Sequence, residues 1–90
     1  MNAQSVGRNF TIYQGVTIGA SNGGIPIIKD NVTIFAGAKV FGDILINNNV
    51  IIGANSVVTH DCEENGIYVG NPAKLLKYNE KNKADERKKI

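Results

Sequence analysis

Ninety residues make one small domain, which buries only roughly 60–65% of its unfolded surface, so a lone globular core would be marginal and repeat stacking or oligomerisation would help. The apolar content of 42% is mostly Ile and Val, with 7% aromatics and no Trp, which favours strands; the ten glycines follow no collagen-like period and read as turn residues. A net charge of +2, with most of the basic excess after Pro72, does not argue for nucleic acid, no apolar run is long enough to span a membrane, and no secretory signal opens the chain.

The chain opens with aliphatic residues at Val6, Ile12 and Ile18, each six apart. A ten-residue step to Ile28 follows, which is six plus a four-residue insertion. The six-residue step then resumes without a miss at Ile34, Val40, Ile46, Ile52 and Val58. A second series of small or β-branched residues lies two positions earlier: Val16, Pro26, Val32, Ala38, Ile44, Val50 and Ser56. A period of six fits neither an amphipathic helix nor an alternating strand. It fits short strands with a corner after each, three sides to a coil of about 18 residues, with coils stacked about 4.8 Å apart by parallel pairing. No segment between repeats is long enough for a crossover helix. The reading is therefore a parallel β-helix of about three coils, at 6–23, 28–45 and 46–63. The first coil would present a bare sheet edge, so a partner subunit or an upstream segment is expected over it.

The insertion, Ala20-Ser21-Asn22-Gly23-Gly24-Ile25-Pro26, reads as a loop, either a binding loop or a tolerated bulge. After Val58 the stretch Thr59–Gly66 is polar and turn-like, Ile67–Gly70 offers one further side, and Asn71-Pro72-Ala73-Lys74 ends the repeat. The domain is placed at 1–78. The charged segment 79–90 is a frayed helix or a solvated tail. Cys62 stands alone and cannot form an internal disulfide, which fits a reducing cytoplasm. One His and one Cys, two apart, do not make a metal site.

Four strings carry a family likeness: Tyr13-Gln14-Gly15-Val16-Thr17-Ile18-Gly19, Phe35-Ala36-Gly37-Ala38-Lys39-Val40-Phe41-Gly42-Asp43-Ile44, Ile52-Gly53-Ala54-Asn55-Ser56-Val57-Val58 and Gly70-Asn71-Pro72-Ala73-Lys74. Together they resemble the hexapeptide-repeat acyltransferases, most nearly the serine acetyltransferases and the polysaccharide O-acetyltransferases. The resemblance implies an all-β, left-handed parallel β-helix, against the usual right-handed preference of crossovers. It implies a homotrimer with sites between subunits, acetyl-CoA as co-substrate, and a serine or sugar hydroxyl as acceptor. In that family a histidine takes the hydroxyl proton, and such a base raises the rate roughly 10²–10⁴-fold. Carried over, Ala36, Gly37 and Ala38 would lie along the pantetheine arm and Ala54 with Asn55 would continue the groove. Pro72, Ala73 and Lys74 would stand near the adenine, with Lys74 or Lys77 on a phosphate. Corner packing applies to the alanines in any case, and solubility is the alternative role for the two lysines.

The chain also departs from that pattern. Ile25 stands where serine acetyltransferases carry a loop histidine, and the family's acid–histidine pair and N-terminal helical domain would precede Met1. His60, the one histidine, is a turn residue. Two further readings stay open: a catalytically silent β-helix that binds CoA or pairs with a longer transferase chain, and a purely structural repeat. The second ranks last, since Thr11, Thr17 and Thr33 do not form the threonine ladder an ice-ordering face needs.

Overall fold

The computed structural model describes residue 3 and residues 5–20 and 24–78. Every regular element among them is a strand. The first coil contributes β1 (Ser5–Val6), β2 (Thr11–Ile12) and β3 (Thr17–Gly19), and the second β4 (Ile27–Ile28), β5 (Thr33–Ile34) and β6 (Lys39–Phe41). The third contributes β7 (Leu45–Ile46), β8 (Ile51–Ile52) and β9 (Val57–Val58), and β10 (Gly66–Val69) and β11 (Lys74–Tyr78) follow. The strands assemble into three sheets: β1-β4-β7, β2-β5-β8-β10-β11 and β3-β6-β9, hereafter the first, second and third. All pairings are parallel except that between β10 and β11. The result is a left-handed parallel β-helix of about three coils.

The hexapeptide step explains this register. Val6 pairs with Ile28 and Ile28 with Ile46; Ile12 pairs with Ile34 and Ile34 with Ile52; Ile18 pairs with Val40 and Val40 with Val58. Each aliphatic thus lies under its equivalent one coil earlier, and three ladders run down the interior. Ile28, Ile34, Val40, Ile46 and Ile52 are all buried, as are Pro26, Val32, Ala38, Val50 and Ser56 of the second series. Burying one such Ile or Val stabilises by roughly 1.5–3 kcal/mol, and stacking is what makes the burial available. Among the described residues no strand pairs with the outer edge of the first coil, and Val6 and Ile12 are 36% and 41% exposed.

Two features depart from the expected course. First, the further side expected at Ile67–Gly70 is present, and the ladder also continues between it and Val58, where only a turn was expected. Cys62 bridges in parallel to Ile46 and is fully buried, and Tyr68 pairs with Ile52 and is buried. The step from Val58 to Cys62 is four residues, so a partial fourth coil continues in a shortened form. Secondly, Lys74–Tyr78 does not merely end the repeat. It turns back as β11 and pairs antiparallel with β10, with a register shift at Ile67/Tyr68. The Tyr78 hydroxyl donates to Glu63 Oε2 at 2.9 Å, and the Glu63 amide donates to the Tyr68 hydroxyl at 2.8 Å, which ties the hairpin to the preceding turn. The charged segment 79–90, expected as a helix or tail, lies outside the described residues.

Candidate functional site: the corner between the second and third sheets

Each coil has three corners, and the sequence repeats what each corner requires. At the corner joining the first sheet to the second, Asn9, Asn31, Asn49 and Asn65 have positive φ, 58–65°. Asn tolerates this left-handed region far better than branched residues do. At the corner joining the second sheet to the third, Gly15 and Gly37 (φ 76°), Asn55 (φ 60°) and Gly70 (φ 98°) take the same part.

This second corner carries most of the expected cofactor residues. Ala36 and Ala54 stand one above the other on successive coils, followed by Gly37 and Asn55. A backbone spine holds them: Gly37 N donates to Gln14 O at 3.2 Å, and Asn55 N donates to Ala36 O at 3.0 Å. The Asn55 side chain lies against the face of Gly37, whose added Cβ would fall onto its amide. At the C-terminal end, Gly70 N donates to Ser56 Oγ at 3.1 Å and Ala73 N donates to Val57 O at 2.7 Å, which brings Pro72 and Ala73 to the same edge. Lys74 begins β11 opposite Val69 and so stands beside this corner, exposed. Lys39 adds a second cation, its ammonium donating to Gly37 O at 3.5 Å.

Two of the sequence-derived residues are placed elsewhere. Ala38 points inward and is fully buried, and its carbonyl accepts from Thr17 N at 3.0 Å. Its side chain is a core residue. Lys77 pairs with Ile67 at the far end of β11, about 10 Å along the strand from Lys74 at roughly 3.3 Å per residue. The structure also adds a feature that sequence spacing had not singled out. Tyr13 and Phe35 occupy the same position on successive coils, at the mouth of this corner, and stack with ring centroids 4.9 Å apart and planes 21° apart. Both remain exposed, by 48% and 37%. The next residue of the column is Gly53, so the aromatic stack ends there.

The third corner gathers the insertion and the histidine. Its successive levels are the insertion (Gly24-Ile25-Pro26), the Gly42-Asp43 turn and the Thr59-His60-Asp61 turn, as the pairing of β3, β6 and β9 with one another and of β4, β7 and Cys62 with one another requires. A Cβ on Gly24 would come within 2.6 Å of Asp43 Cα, so Gly24 is seated directly on that turn, while residues 21–23 of the insertion lie outside the described residues. Asp61 Oδ1 accepts from Leu45 N at 2.9 Å. Ile25 and His60 are therefore two levels of one corner, roughly 10 Å apart, although 35 positions separate them in sequence. Counting coils of 18 would have revealed this. Ala36 and Asp43 lie at opposite ends of one side of the prism, so within one chain His60 stands a prism side, roughly 15–20 Å, from the small-residue column.

Cys62 is inert as a nucleophile: burial, with the neighbouring Asp61 charge, pushes its thiol up to about 12. Among the described residues no group of three or more His, Cys, Asp or Glu is placed to hold a metal, and no helix is long and apolar enough to cross a membrane.

No protein-family profile matches the chain. Among individual relatives, the serine acetyltransferase of Staphylococcus aureus strain N315 is 49% identical over 77 residues, which cover 81% of this chain and 36% of the relative. That of Staphylococcus xylosus is 50% identical over 76 residues, covering 80% and 35%. Among solved structures, the serine acetyltransferase of Neisseria gonorrhoeae superposes with a TM-score of 0.80 at 34% identity, over 92% of this chain and 34% of that one. A serine acetyltransferase in complex with CoA superposes with a TM-score of 0.72 at 34% identity, over 80% and 33%. The chain spans about a third of the length of the curated relatives it matches.

Proposed function

We propose, for a chain that belongs to the hexapeptide-repeat acyltransferase superfamily, that it takes part in acetyl-CoA-dependent O-acetylation, with serine as the leading acceptor and a sugar hydroxyl as the other. The observation that carries this reading is the small-residue column at the second corner, within a chain half identical to serine acetyltransferases over most of its length. A pantetheine arm needs a narrow track with backbone groups in reach. Ala36, Gly37, Ala54 and Asn55 fit that need, and Lys74 fits a phosphate at the end where Pro72 and Ala73 lie. Ala38 contributes only its packing, and Lys77 is too far along β11 to share the same phosphate. Nucleic acid and membrane are not among the partners we assign, and we place the protein in the cytoplasm on the strength of its free Cys62 thiol.

We further assign a homotrimer. Its support is the resemblance to the serine acetyltransferases, which implies three subunits with sites between them, and the distance between corners is in keeping with it. The column at the second corner and the insertion at the third lie a prism side apart, and a neighbouring copy can present its third corner to the column. A neutral hydroxyl is a poor nucleophile and must lose its proton as it attacks the thioester. The acetyl carbonyl carbon then gains the bond to the acceptor oxygen and loses the bond to sulfur, and CoA leaves as the thiol. Ile25 cannot take a proton, and His60 lies two levels further along the same corner.

That absence of an imidazole beside Ile25 favours a second reading, in which the chain binds CoA without turning it over or pairs with a longer transferase chain. A thiol-release assay with L-serine and with a series of pyranosides decides between them. Acceptor-dependent CoA release, weakened in the exposed Lys74→Ala, is the outcome expected of an enzyme. A folded trimer that binds acetyl-CoA and releases none with any acceptor would overturn the catalytic reading and leave the silent one.

A further inference from the structure

The corner between the first and second sheets, which the acyl-transfer reading does not use, holds a concavity of about 350 Å³. That volume is within the range of small-molecule sites. Gly7 forms part of its floor; Ser5, Ile27, Lys29, Asp30 and Asn48 line it. The absence of a side chain at residue 7 is required: an added Cβ would come within 2.7 Å of the Lys29 backbone and would strike the Asp30 carboxylate. Two polar contacts fix the charged lining. Arg8 N donates to Asp30 Oδ1 at 2.8 Å, and Asp30 N donates to Asn48 Oδ1 at 2.9 Å. Each coil's corner side chain thus receives the amide of the coil above, and Asp30 is held in a defined orientation.

The capacity left over defines a complement. A carboxylate offers about four lone-pair positions. The Arg8 amide takes one at Asp30, and the exposed Arg8 guanidinium stands 3.9 Å from Oδ2. Asn48 uses its carbonyl oxygen and keeps its NH2 for another partner. Lys29 is exposed, and among the described residues its ammonium makes no ion pair. The concavity therefore carries an open cation and a partly open anion side by side, with a hydroxyl, an amide donor and the apolar flank of Ile27. A simple amine would meet Lys29 and Arg8, and a simple anion would meet Asp30. A molecule bearing both charges a few ångströms apart satisfies both.

We propose that this corner binds a small α-amino acid as its zwitterion, the carboxylate on Lys29 and Asn48 and the ammonium on Asp30, with a short side chain against Ile27. The site lies on a different corner from the small-residue column and does not depend on the acetyltransferase reading. L-alanine is the suitable probe, because it has no hydroxyl to be acetylated and so does not report on an acceptor site. Titration of the ¹⁵N-labelled full chain with L-alanine is expected to shift the amides of Gly7, Lys29, Asp30 and Asn48 saturably in the millimolar range. Acetate, ethylamine and inorganic phosphate should each bind at least about tenfold more weakly, since each forfeits one charge-assisted contact. Lys29→Ala, an exposed substitution that leaves the fold untouched, should weaken L-alanine about tenfold or more and leave acetyl-CoA affinity unchanged. Asp30→Asn should do the same to L-alanine, and its far-UV spectrum checks that the corner survives the loss of the carboxylate. Absence of saturable shifts at these amides up to about 100 mM L-alanine, or affinity unchanged in Lys29→Ala, would overturn the proposal. Shifts confined to Ala36, Gly37 and Ala54 would overturn it too, by moving the amino acid to the other corner.

Discussion

Ile12 and Ile34 occupy the same ladder of the second sheet, one coil apart, and replacing each with Ala removes the same atoms from two environments. Ile34 is fully enclosed between Ile12 and Ile52. Its truncation loses the transfer free energy and leaves a cavity, for a cost of about 2–5 kcal/mol. For a domain this small each kcal/mol lowers Tm by roughly 4–8 °C, so a mid-range cost of about 3 kcal/mol lowers Tm by roughly 12–24 °C. Ile12 is already 41% exposed, and the space its truncation opens joins the solvent. The cavity contribution disappears and only part of the transfer free energy remains, about 1 kcal/mol or a shift of roughly 4–8 °C. Thermal melts followed by far-UV circular dichroism read both. Equal losses at the two positions would refute the reasoning, because they would mean that the first coil is covered in solution as well as the second.

Three further outcomes follow from particular contacts. Asn31 holds a φ of 61° and accepts a hydrogen bond from Asn9 Nδ2; Asn31→Gly should cost within about 1 kcal/mol and Asn31→Val about 2 kcal/mol or more in chemical denaturation, because a β-branched residue resists the left-handed region. Burial raises the Cys62 thiol from 9.0 to about 12. Its contribution to stability is therefore complete below pH 9 and is lost as pH rises from 9 towards 12, since the unfolded thiol ionises first. Denaturation of wild type against Cys62→Ala across that window should show the extra decline only in wild type. Lys74→Ala should weaken acetyl-CoA severalfold while Lys77→Ala changes nothing, measured by calorimetry; the reverse order would move the phosphate to the other end of β11.

The repeat was legible because each aliphatic obeys one rule, inward on every side of the prism. Ile28, Ile34, Val40, Ile46, Ile52 and Val58 could be placed from spacing alone, and pairing puts each under its equivalent. Cys62 escaped because the step shortens to four and because a thiol among Thr59–Glu64 does not look like a ladder residue, although burial treats it as one. β11 escaped because Lys74–Tyr78 has no period of its own and is exposed along its length; it is a strand by virtue of β10 and of the Tyr78–Glu63 bond. At the candidate site, residue type revealed the small column but not direction. Ala36 and Ala38 are alike as residue types, but Ala38 falls in the second six-residue series with Val32 and Val50, and it is buried as they are. Lys74 and Lys77 look alike as well, and only the hairpin register separates them. The stacking of the insertion and His60 at one corner follows from the 18-residue coil, which linear spacing conceals.

The measurement that bears most directly on the account is a calorimetric titration of the full chain with acetyl-CoA, run on a sample whose mass has been fixed by light scattering. The account predicts a trimer that binds acetyl-CoA saturably, with one site per chain and with affinity reduced severalfold in Lys74→Ala. A well-folded assembly that gives no heat up to about millimolar ligand would contradict it, and with it the assignment of the second corner as a CoA groove.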